Sequence, residues 1–99
     1  MVNKVTYGYV RTTSNSKTSI LEQMSLIDRE ADKLGLTVKK HLIDTKDRTA
    51  YMKLIKLIEE GAVDTIIVVD KTRISRKALD IFNFINICNK HNTELIFIQ

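Results

Sequence analysis

Arginines and hydroxyls gather at a few points of this 99-residue chain. Tyr9-Val10-Arg11 closes an alternating apolar stretch, and six of the next eight residues, Thr12 to Ser19, carry hydroxyls. Asp44-Thr45-Lys46-Asp47-Arg48 follows a second apolar stretch, and Lys71-Thr72-Arg73-Ile74-Ser75-Arg76 follows a third. A guanidinium is a permanently charged planar fork whose donors match phosphate oxygens. Arg73 and Arg76 are three apart, so at the start of a helix they share a face. Arginines converging on hydroxyls suggest a phosphodiester site in which a hydroxyl is the nucleophile. Solvated loop charge would explain any one of these arginines, but it explains all three junctions less well. Ser19 has a structural task, because Ser19-Ile20-Leu21-Glu22 is a capping-box pattern. Thr13 and Ser14 remain as candidate nucleophiles.

The elements that would position these residues can be read from periodicity. Val2–Val10 alternates as a strand. Ile20–Leu34 carries a helical stripe through Ile20, Gln23/Met24, Ile27, Ala31 and Leu34, and Gly35 suits the residue after its end. Leu36–Ile43 reads as a second strand. Asp47–Glu60 is a second helix with a stripe through Met52, Ile55 and Ile58, and with Leu54 and Leu57 beside it. Asp64–Asp70 is a continuous β-branched run, the mark of a strand buried on both faces. Lys77–His91 is a third helix carrying Leu79, Phe82, Phe84/Ile85 and Ile87/Cys88, and Thr93–Ile98 is a fourth strand. Strands alternating with helices give an α/β domain with a parallel sheet and right-handed crossovers. Ligands of such sheets bind beyond the carboxyl ends of the strands, near a switch in strand order. Those are the ends that carry Arg11, Arg48, Arg73 and Arg76.

The bulk properties set limits. The length fits one domain, 1–99. There is no proline and there are only three glycines, so no linker divides the chain. A net charge of +4 permits a polyanionic partner without requiring one. The apolar runs are strand-sized, too short to span a bilayer, and the N-terminus lacks a secretory pattern. The single cysteine, Cys88, falls in an apolar helical pattern and reads as a buried, reduced thiol, which points to the cytoplasm.

Taken in register, these residues resemble the catalytic domain of the serine site-specific recombinases, the resolvase/invertase family. That family opens with a strand of the form Y-x-R-[VT]-S-[TS] and a loop leading to S-[IL]-x-x-Q. Here Tyr9-Val10-Arg11-Thr12-Thr13-Ser14 leads to Ser19-Ile20-Leu21-Glu22-Gln23. Its D-R-x-x-R mark is similar to Thr72-Arg73-Ile74-Ser75-Arg76 with Asp80 beyond, and its "DR" pair at the second helix is similar to Asp47-Arg48. The resemblance runs from about Lys4 to Ile98. It implies a three-layer α/β domain with a four-stranded parallel sheet in the flavodoxin-like order 2-1-3-4. It also implies a serine that attacks a DNA phosphodiester, forms a 5′-phosphoserine link and releases a 3′-hydroxyl, with neither metal nor ATP. On this resemblance Arg11, Arg73 and Arg76 clamp the phosphate, Arg48 assists, and Tyr9, Lys17 and Gln23 contact the substrate. The implied partners are DNA and, in a full-length protein, further copies in a dimer or tetramer. The dimerisation helix and DNA-binding domain that usually follow are not within 1–99.

The departures are specific. The family serine position holds Thr13, with Ser14 next to it, so either could supply the hydroxyl. The loop glutamine is replaced by Lys17, the aspartate before Arg73 by Thr72, and Asp70 stands two residues earlier. The glycine-containing loop after the second strand is shortened. A divergent active recombinase and a degenerate member kept for binding both fit this pattern. Other classes fit less well. A response-regulator receiver needs acids where Arg11 and Thr12 stand, and a nucleotide-binding domain needs a glycine-rich first turn. His41 and His91 are too isolated to suggest a metal site.

Overall fold

The computed structural model describes residues 4–12 and 17–99. Thr13 and Ser14 therefore lie outside the described residues, as does the side chain of Lys17. The elements alternate in the expected order. They are β1 (Thr6–Arg11), α1 (Lys17–Lys33), β2 (Val38–Asp44), α2 (Thr49–Glu59), β3 (Thr65–Val68), a 3₁₀ turn (Lys71–Arg73), α3 (Ala78–Lys90) and β4 (Glu94–Phe97). All strand pairs are parallel, and the sheet order is β2-β1-β3-β4. This is the three-layer sheet with flanking helices anticipated above.

The two-residue side-chain period of the central strands divides the core. Tyr7 and Tyr9 of β1, with Ile66 and Val68 of β3, pack against Leu54 and Ile58 of α2 and Phe84 and Cys88 of α3. Val10, Ile67 and Val69 point the other way, onto Ile27 and Ala31 of α1. The continuous β-branched run of β3 is needed because both of its faces are covered. Gly8 lies between Tyr7 and Tyr9 for a steric reason. A Cβ there would meet His41 Cδ2 at 2.8 Å and Ile27 Cγ2 at 2.9 Å. Gly35, after α1, has a φ of +71° and ends the helix in the left-handed region.

Three helix details differ from the sequence expectation. α1 begins at Lys17, so Ser19 lies in its first turn instead of capping it, and Ser19 Oγ accepts from Gln23 Nε2 at 3.3 Å. Met52 is 70% exposed, and Leu79 and Phe82 are 69% and 60% exposed. Each of Met52 and Phe82 lies two residues before a buried anchor, Leu54 and Phe84. That is a rotation of about 200° around a helix, which turns them to solvent. Leu34 falls beyond the end of α1 and is 47% exposed. Among the described residues, no helix is long and apolar enough to cross a membrane.

Candidate active site

In the order β2-β1-β3-β4, α1 carries the chain from β1 to one neighbour and α2 carries it on to the other side. The switch therefore falls between β1 and β3. A cavity of about 300 Å³ opens beyond the carboxyl ends of these two strands. Arg11 and Thr12 line it from β1. Thr72, Arg73, Ser75, Arg76 and Lys77 line it from the segment after β3. Four of these residues are cationic, and none of the described lining residues is acidic.

The wall is fixed by backbone contacts. Arg73 Nη1 donates to the carbonyl of Arg11 at 3.1 Å, joining the two strand ends. Gln23, 3% exposed, reaches from α1 to the same residue. Its Nε2 donates to the Arg11 carbonyl at 3.0 Å, and its Oε1 accepts from the Arg11 N–H at 3.3 Å. The Thr12 N–H donates to the carbonyl of Asp44 at 3.1 Å, tying this end to β2. The Nε atoms of Arg11 and Arg73 are buried and have no hydrogen-bond partner. A buried unpaired donor costs about 1–3 kcal/mol, so an anion that satisfied either group would gain by doing so.

The described hydroxyls after β3 are committed. The Thr72 hydroxyl donates to Asp70 Oδ1. Ser75 Oγ donates to Asp80 Oδ2 at 2.8 Å and accepts from the Lys77 N–H at 3.0 Å. These contacts shape the turn into α3 and hold Arg76 and Lys77 at the rim.

Arg48, expected to assist at the phosphate, lies outside the cavity lining. Its Nη2 donates to the carbonyl of Ile74 at 2.7 Å, and its guanidinium sits 4.0 Å above the Tyr51 ring centroid. It thus braces the segment that carries Arg73 and Arg76. Tyr9, expected at the substrate, is fully buried, and its hydroxyl donates to Asp44 Oδ2 at 2.7 Å. Burial, then the hydrogen bond to Asp44, pushes its phenol well above the ordinary tyrosine value. Asp44 is 1% exposed and also accepts from the Ala50 and Tyr51 N–H groups at 2.8 and 2.9 Å. The sequence reading places Asp44 just after the second strand and gives it no role. Its position ahead of a helix start was the signal that it binds the free N–H groups of α2. Among the described residues, no cluster of His, Cys, Asp and Glu could hold a metal ion.

A family model described as "Resolvase, N terminal domain" matches residues 6–99. The chain belongs to that family. Solved structures share the resolvase fold. One is the C-terminal catalytic domain of ISC1926 TnpA, an IS607-like serine recombinase. It matches with a TM-score of 0.86 and 20% identity, over 95% of this chain and 67% of that one. The N-terminal catalytic domain of TP901-1 integrase matches with a TM-score of 0.85 and 24% identity, over 96% and 78% of the two chains. A resolvase family site-specific recombinase from Streptococcus pneumoniae gives 0.82 and 18%, over 96% and 72%. At these identities the likeness is one of fold. A search of curated proteins returned no match. In this resolvase domain, then, Arg11, Arg73 and Arg76 meet at one cavity, while Arg48, Tyr9 and Gln23 support its walls.

Proposed function

We propose that this domain cuts and rejoins DNA, with the cavity beyond β1 and β3 holding the scissile phosphate. Arg11, Arg73 and Arg76 stabilise the charge that grows on the phosphoryl oxygens, and Lys77 adds to the positive rim. A hydroxyl of the segment after Thr12, from Ser14 or Thr13, attacks phosphorus. The P–O bond to the 3′ oxygen breaks, the attacking hydroxyl gives up its proton, the departing 3′ oxygen takes one up to become a 3′-hydroxyl, and the 5′-phosphoryl group stays on the protein as an ester. Attack by the 3′-hydroxyl reverses the step, so bond energy is kept and no ATP is required. Tyr9 and Gln23 act through the backbone and Asp44, and Arg48 acts by holding the Ile74 carbonyl. Lys17, at the start of α1, is assigned to the DNA backbone.

The supporting observation is the meeting of Arg11 and Arg73 at the strand-order switch, each with a buried Nε–H lacking a partner. A second reading, a non-catalytic binding module, draws on the commitment of the Thr72 and Ser75 hydroxyls. If neither Thr13 nor Ser14 is competent, neither of those two replaces it. A trapping experiment separates the two readings. The protein is mixed with a random-sequence duplex library carrying 3′-bridging phosphorothiolates, whose thiol leaving group does not re-ligate. A denaturation-resistant adduct mapped to the peptide containing Thr13 and Ser14 supports cutting. DNA binding without an adduct supports the binding module.

A further inference from the structure

Asp70 follows β3, and nothing described so far gives its charge a role. Its Oδ1 accepts from the Thr72 N–H at 2.9 Å and from the Thr72 hydroxyl, which caps the 3₁₀ turn. Its Oδ2 lies 3.7 Å from Arg73 Nε. That distance is an ion pair but too long for a hydrogen bond, and the Nε–H has no other partner. The same guanidinium is bonded through Nη1 to the Arg11 carbonyl. Arg73 is therefore fixed at one corner and only loosely paired at another by Asp70, which stands just behind the wall of a cavity with no acidic lining among the described residues.

We propose that Asp70 is the resident counter-ion of Arg73. A phosphate displaces it from the guanidinium, and Asp70 thereby sets how tightly the cavity holds its anion. The inference rests on the reading of this cavity as a phosphate site. An ion pair this long between partly exposed side chains is weak, so displacing it forfeits little. A carboxylate beside the site still subtracts one unit of charge from an otherwise cationic wall.

The test is a titration of the full chain with inorganic phosphate, followed on the arginine Nε–H resonances by NMR. The Arg73 signal is assigned by its loss in Arg73→Lys. Asp70→Asn and Asp70→Ser both keep an oxygen that can cap the Thr72 N–H and remove the charge, so one folded variant suffices. The expected result is phosphate binding roughly two- to fivefold tighter than wild type, the range for one partly exposed ion pair, with the Arg73 Nε–H signal displaced before phosphate is added. A purely capping Asp70 predicts unchanged affinity in these variants and weaker affinity only in Asp70→Ala. Unchanged or weaker binding in the uncharged capping variants, with wild type binding normally, overturns the counter-ion role and leaves the phosphate site standing. Failure of wild type and every variant to bind phosphate overturns both.

Discussion

Arg73 donates through Nη1 to the backbone carbonyl of Arg11, 62 residues away, at 3.1 Å. This bond joins the ends of the two central strands and places two guanidinium groups on one cavity wall. Asp70 forms its ion pair with Arg73, and the contacts to Arg11 from Arg73 and Gln23 are made to its backbone. Arg73→Ala should therefore lower unfolding free energy by about 1.5–3 kcal/mol, the usual range for a lost hydrogen bond to a charged group. Arg11→Ala should change it by less than about 1 kcal/mol, because its carbonyl and N–H contacts are backbone contacts that survive. Urea denaturation of the two variants checks this ordering.

Asp44 should be the most damaging carboxylate to remove. Asp44→Ala would leave the buried Tyr9 hydroxyl and two N–H groups of α2 without their acceptor. A loss of about 3–5 kcal/mol is expected, as for breaking a buried charged network. Tyr9→Phe removes one hydrogen bond to a charged group and should cost about 1.5–3 kcal/mol. Thermal and urea unfolding measure both. Phosphate affinity should change little in Tyr9→Phe if Tyr9 acts only through Asp44.

Arg48 offers a different signature. Arg48→Lys keeps a charge but loses the planar stacking on Tyr51, and a point charge replaces the bond to the Ile74 carbonyl. The expected effect is faster amide hydrogen exchange around Ile74–Lys77, with exchange in β1 and β3 unaltered. Unchanged exchange in that segment would remove Arg48 from the scaffold of the site.

The pH dependence on the alkaline side should be carried in part by Cys88. Burial pushes its thiol from 9.0 up to about 11. Below about pH 9 the thiol is protonated in both states. Between about 9 and 11 the unfolded chain gives up the proton and the folded one keeps it, so stability falls as pH rises. Two pKa units correspond to about 2–3 kcal/mol across that window. Cys88→Ala should flatten this part of the profile, measured by urea denaturation from pH 8 to 10.5. Tyr9 and Tyr51, whose phenols are also raised mainly by burial, should leave a residual decline above pH 10.

The order of elements was legible because apolar periodicity switches cleanly between two and 3.6 residues, and β3 announces its double burial through unbroken β-branching. Helix phase was less legible. α2 and α3 are rich in apolar residues, so several stripes can be drawn, and only packing shows that Leu54 and Phe84 face inward while Met52 and Phe82 do not. The cavity arginines could be placed from the rule that sites gather at strand ends. The partners of Arg48 and Gln23 could not, because both reach backbone atoms and a carbonyl leaves no trace in residue type.

The most direct test of the phosphate clamp is the yield of covalent protein–DNA adduct from wild type and from Arg11→Ala, Arg73→Ala and Arg76→Ala. Folding of each variant would be verified by circular dichroism. Each loss should lower the initial rate of adduct formation by about 100-fold or more, as for removal of one preorganised donor at a transition-state oxyanion. Adduct formation at the wild-type rate in all three folded variants would contradict the clamp.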